Sequence, residues 1–167
     1  MTTDTLKTRS ITFFQGDTAP LLDDDGMMSA PDIPGEVIAT MNLLPLLAGS
    51  KTKVLFKGDG EDGFRLVYAH FLPGFKLPRH SHSADCLYYV ISGEAHMGNR
   101  VLRAGDGFFV RADQPYAYEA GPDGVEVLEF RTKTSIDMKI FDRTVERWKP
   151  IIEAAEANHD TWLAMPS

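Results

Sequence analysis

The chain has 167 residues, enough for one domain with a continuous core, and 43% hydrophobic with 25% charged residues excludes global disorder. Seventeen Lys and Arg against 24 Asp and Glu leave a net charge of −7, and with no basic run this excludes a phosphate-binding surface, so no nucleic-acid partner is expected. The single cysteine, Cys86, excludes an internal disulfide; with mixed charges in MTTDTLKTRS and no run of eighteen apolar residues, a cytoplasmic protein without a membrane partner is expected.

In chain order, residues 1–10 are polar, and Ile11–Phe14 is expected as a short edge strand. Asp23-Asp24-Asp25-Gly26 reads as a solvated turn, because the alternating oxygen ligands of a calcium loop are missing. Residues 37–48, VIATMNLLPLLA, are densely apolar, and Pro45 interrupts any long helix. They are expected to form a strand and an apolar turn, or a surface that packs on another subunit.

From Lys53 the texture changes to short apolar runs divided by Gly, Pro and Asp. The expected strands are Val54–Phe56, Phe64–Leu72, Leu87–Ile91, Glu94–Met97, Val101-Leu102, Phe108–Val110, Tyr116–Glu119 and Val125–Arg131. Gly121-Pro122-Asp123-Gly124 is the expected turn before the last of them. Strands of this length at this spacing indicate an antiparallel sandwich or barrel. Val145, Trp148, Ile152 and Ala155 then recur at helical spacing, which marks an amphipathic helix, with Pro150 starting a second helix or kinking the first. The organisation expected is one domain: an N-terminal extension over 1–52, a β-barrel core over 53–132 and a helical segment over 133–167.

The informative stretch is Gly74–Gly93, GFKLPRHSHSADCLYYVISG. His80 and His82 project to one face of an extended segment, because side chains alternate with period two. Two neutral imidazoles side by side suit a transition-metal ion. Gly74, His80, His82 and Gly93 stand in the spacing of the first motif of the cupin superfamily, which the chain resembles over about Val54 to Arg131. A second, more degenerate match is Gly105-Asp106-Gly107-Phe108-Phe109-Val110, with Arg111-Ala112-Asp113 at the family's Pro-x-Gly corner. The resemblance implies an all-β, RmlC-like jelly-roll barrel, a double-stranded β-helix, here followed by a helical extension.

The resemblance also implies a metal site, and this chain departs from its usual residues. Cys86 stands where the family has Glu, Tyr116 where it has its third His, and Ala120 where it has Asn. The expected ligand set is therefore His80, His82, Cys86 and Tyr116 around a divalent ion, Fe, Zn, Ni or Mn. Asp85 and His96 are alternatives for completing it. Tyr116 and Arg111 are candidate catalytic residues, Arg111 by pairing with a substrate carboxylate. Tyr88, His96, Phe109 and Tyr118 are candidate substrate-lining residues. The activity implied is that of a metal-dependent enzyme on a small organic substrate, foremost an oxygenase or dioxygenase. Alternatives are a zinc-dependent lyase or isomerase and a non-catalytic small-molecule-binding or sensor cupin. A homodimer is expected.

Overall fold

The structure, a computed structural model, describes residues 11–61 and 63–165. Its main sheet is built from β1 (Ser50–Lys57), β2 (Arg65–Phe71), β4 (Cys86–Met97), β5 (Arg100–Arg103), β6 (Gly107–Val110) and β7 (Glu119–Arg131). The strand order is β1-β2-β7-β4-β5, every neighbouring pair is antiparallel, and β6 lies against the first half of β4. A second layer consists of β3 (His80–Ser81) paired with β8 (Lys139–Ile140), continued by backbone hydrogen bonds between residues 74–80 and 116–121. The architecture is the jelly roll that the sequence implies, followed by a C-terminal helix.

Period-two alternation decides what each strand buries. On β2, Arg65, Val67, Ala69 and Phe71 face inward; on β4, Cys86, Tyr88 and Val90 do so, while Leu87, Tyr89 and Ile91 face out. The two expected strands Leu87–Ile91 and Glu94–Met97 are one bent strand, β4, with register shifts at Val90/Ser92 and Gly93/Ala95. Gly93 has φ 69°, and a Cβ there would run into the Gly124 carbonyl, so only glycine lets β4 and β7 approach at the bend. For the same reason Gly121–Gly124 is a bent part of β7 and not a turn between strands. At the corner after β6, Asp113 adopts φ 62°, the left-handed conformation that the family's glycine would supply.

Three N-terminal expectations are corrected, the first being that Asp23, Asp24 and Asp25, expected as a turn, are helical, with Gly26 as the C-cap. Ile11–Phe14 forms no strand, and Ile11 and Phe13 lie exposed. After a short helix α1 (Leu22–Asp25), residues 37–48 contribute no strand but most of α2 (Gly35–Thr40) and all of α3 (Leu44–Ala48). Pro45 sits in the first turn of α3, where its missing N–H would have had no partner anyway. Val37 packs with Ile140, Trp148 and Ile152, so half of this apolar stretch covers the chain's own C-terminal helix, while Ile38, Leu44 and Leu47 stay exposed.

That helix, α4 (Val145–Ala164), runs unbroken through Pro150 and buries Trp148, Ile151, Ile152, Ala155 and Trp162. Trp162 lies 5.8 Å from the Phe75 ring, and its indole N–H donates to the Pro73 carbonyl at 3.0 Å. No helix among the described residues is long and apolar enough to cross a membrane.

Candidate metal and ligand site

His80 is fixed by exchanging both backbone hydrogen bonds with Tyr116, each 2.9 Å, so β3 and the segment before β7 meet at this residue. His80 and His82 share a face, with ring centroids 4.9 Å apart, and are 3% and 6% exposed. His80 Nδ1 lies 2.7 Å from the Pro78 carbonyl oxygen, and His82 Nδ1 bonds to the Asp137 carbonyl. A carbonyl only accepts, so Nδ1 carries the proton on both rings and Nε2 keeps its lone pair. Burial lowers the pKa of His80 and takes that of His82 down to about 3, helped there by the nearby Arg131 guanidinium. Both rings are neutral at pH 7.

Next to the pair lies a set of stacked phenols. The Tyr116 ring is 4.5 Å from His80, and the Tyr88 and Tyr116 hydroxyls bond to one another. Tyr88 stacks on Phe108 at 4.4 Å, and Tyr118, 4% exposed, stacks along Tyr116. Burial first and the Glu129 carboxylate second push all three phenols above their ordinary pKa, so they are hydrogen-bonding groups and not phenolates. Cys86 also faces the interior, donates to the Ala84 carbonyl at 3.4 Å, and is held as a thiol by burial.

The sequence reading missed three residues that the fold brings here: Arg131 and Glu129 on β7 and Arg65 on β2, 4%, 7% and 0% exposed. Arg131 Nη2 lies 2.6 Å from Glu129 Oε2, 3.2 Å from His82 Nε2 and 3.4 Å from Tyr88 Oη. The signal was present: in VEVLEFR, Glu129 and Arg131 continue the inward phase of Val125 and Val127. His82, Glu129 and Arg131 line a cavity of about 540 Å³ that is otherwise walled mainly by apolar side chains, among them Phe71, Phe75, Leu77 and Met138.

Other expected site residues lie elsewhere. Arg111 is exposed on the turn after β6, because the corner points it outward; Arg131 is the guanidinium beside the histidines. Phe109 is 56% exposed on the outer face of β6, since its neighbour Val110 takes the inward position. His96 bonds through Nε2 to Glu94 at 2.8 Å and borders a different depression, with Lys76 and Glu119. Asp85 accepts from the Ala112 N–H at 2.8 Å and so holds the corner loop.

His80 and His82 suit a divalent ion in being neutral and anchored at Nδ1; Nε2 of His80 is left to coordinate, whereas Nε2 of His82 lies 3.2 Å from Arg131 Nη2 and would have to be released from it. Cys86 and Tyr116 would have to lose protons to join them. Among the described residues no three His, Cys, Asp or Glu side chains are grouped to enclose an ion. A metal held by the two imidazoles would thus take further ligands from substrate, from water or from groups that ionise on binding.

Comparison with known proteins agrees with this geometry at the level of fold. An RmlC-like cupin from Shewanella frigidimarina is 24% identical over 74% of this chain and 92% of its own, with a TM-score of 0.51. The polyketide cyclase RemF of Streptomyces resistomycificus is 14% identical over 87% of this chain and 99% of its own, with a TM-score of 0.57. KdgF from a Halomonas species is 18% identical over 74% and 96%, with a TM-score of 0.50. No curated protein matches the chain. The family model described as the ChrR cupin-like domain matches residues 37–135, more than half of the 167 residues, and the chain belongs to that cupin family.

Proposed function

We propose that this cupin binds a small organic molecule in the cavity beside His80 and His82 and transforms it with a divalent metal ion held by that pair, as an oxygenase or dioxygenase. The observation that carries the reading is the double anchoring of Nδ1, which leaves the lone pairs on Nε2 of two neutral rings whose centroids lie 4.9 Å apart. Such an ion supplies Lewis acidity and, where it is redox-active, an electron source. The chain's own residues do the rest. The Tyr88–Tyr116 pair, buried against His80 and outside the cavity lining, would offer an O–H to a substrate oxygen that reaches the imidazoles, and Phe71, Phe75 and Leu77 supply the cavity's apolar wall.

The test is elemental analysis of protein purified without a metal-affinity tag, followed by oxygen uptake with a panel of small acids and phenols. Bound iron with oxygen consumption, lost in His80→Ala and His82→Ala, is the expected result; full metal content in both variants overturns the assignment. A second reading, a non-catalytic small-molecule-binding cupin, is favoured by the Arg131 guanidinium, which contests the His82 lone pair with any cation. Zinc or no metal, tight ligand retention and no oxygen uptake would select it. We also propose a homodimer, supported by the exposed outer-face residues Leu87, Tyr89 and Phe109, of which Leu87 and Phe109 are cross-strand partners.

A further inference from the structure

The charge buried behind the cavity wall does not balance. Arg65 and Arg131 are direct partners in the β2–β7 ladder and share its inner face, both at most 4% exposed. A guanidinium stays protonated in proteins, so two positive charges are buried together. Glu129 is the one carboxylate buried with them among the described residues. Cys86, also close, is held as a neutral thiol, and Asp25 of α1 pairs with Lys57 at 3.2 Å.

Their donors do not balance either. Arg131 uses Nη2 for Glu129, His82 and Tyr88, and Arg65 uses Nη1 for the Thr134 carbonyl at 2.6 Å. That leaves Nε and Nη1 of Arg131 and Nε and Nη2 of Arg65 buried without a partner among the described residues. Unmet donors on a buried, uncompensated cation are strongly destabilising, and native folds meet that cost with an anion or water. Arg131 lies with Glu129 in the wall of the 540 Å³ cavity, Lys51 and Asp23 stand on the same wall with one charge of each sign, and the remaining lining is largely apolar. The volume falls in the range for a small organic ligand.

We infer that Arg131, backed by Arg65, is the anion-docking group of this cavity and that its ligand is a small organic acid. The carboxylate sits against the guanidinium, and the apolar body lies among Phe71, Phe75, Leu77 and Met138. The inference rests on the cavity being the ligand site proposed above, but it needs no metal at His80 and His82.

Calorimetric titration of the full chain with benzoate and with its uncharged isostere benzamide, before and after dialysis against EDTA, tests it. Benzoate is expected to bind at least about tenfold tighter than benzamide, as a charged hydrogen-bonded contact requires. That preference should survive EDTA and shrink by a similar factor in Arg131→Lys, which keeps the charge and loses the planar fork. The wild-type comparison stands even where the variant fails to fold. Equal binding of acid and amide overturns the anion assignment while leaving the cavity as a ligand site. Loss of benzoate binding on EDTA treatment places the acid on a metal ion and overturns it as well, as does the absence of saturable benzoate binding. Chloride competing as well as benzoate would exclude an organic acid.

Discussion

Acid should destabilise this protein in a pH window set by the buried histidines. In metal-stripped protein, His82 has a pKa of about 3 in the folded state against 6.5 in an unfolded chain, and His80 is lowered in the same direction. Between those values the unfolded state binds a proton that the folded state refuses, so stability rises with pH across the window and is lost as pH falls below about 6.5. At pH 5 the His82 contribution is about 1.5 pH units at about 1.4 kcal/mol each, or about 2 kcal/mol lost relative to pH 7. His80 adds to it with the same sign. Set against the usual 5–15 kcal/mol of a domain, roughly, this is a large fraction. The carboxylates held low in the fold, Glu94, Glu126 and Asp137, lose their stabilisation only below their ordinary range near 4, so pH 5 to 6.5 isolates the histidines. Guanidinium denaturation at pH 7, 6 and 5, on wild type and on His80→Gln/His82→Gln, measures the effect. A free energy of unfolding that is flat from pH 7 to 5 in the wild type, or that falls equally in the double variant, refutes the argument.

Gly93→Ala should lower stability by about 2 kcal/mol or more, because φ 69° strains any L side chain and the new Cβ meets the Gly124 carbonyl; an unchanged melting temperature would show that the β4–β7 bend relaxes freely. Tyr88→Phe removes the hydroxyl that pairs with Tyr116 and reaches Arg131 at 3.4 Å, stranding a buried phenol O–H. The expected cost is about 1–3 kcal/mol by chemical denaturation. A neutral result would mean that water already serves that hydroxyl.

Much of the fold was legible because its signals are local. Apolar runs cut by Gly and Pro mark strands wherever they later pair, and the Val145–Ala155 spacing marks a helix whatever it covers. The misreadings sit where local patterns are degenerate: VIATMNLLPLLA is apolar enough for a strand or two short helices, and only packing against α4 chose the helices. Gly121–Gly124 has turn composition, yet its partner strand bends at Gly93 and carries it along as strand.

The site divides in the same way. The sequence by itself determined that His80 and His82 share one face, since period two is a property of the backbone, and that Cys86 and Tyr88 point to one side of β4. Tertiary structure alone decided what meets them. Arg65 and Arg131 come together only through the β2–β7 register, Tyr116 reaches His80 only through pairing of the second layer, and Arg111 and His96 are carried away from the pair. Register is set by the summed burial of whole strands, so no short motif can announce which distant charge will share a cavity.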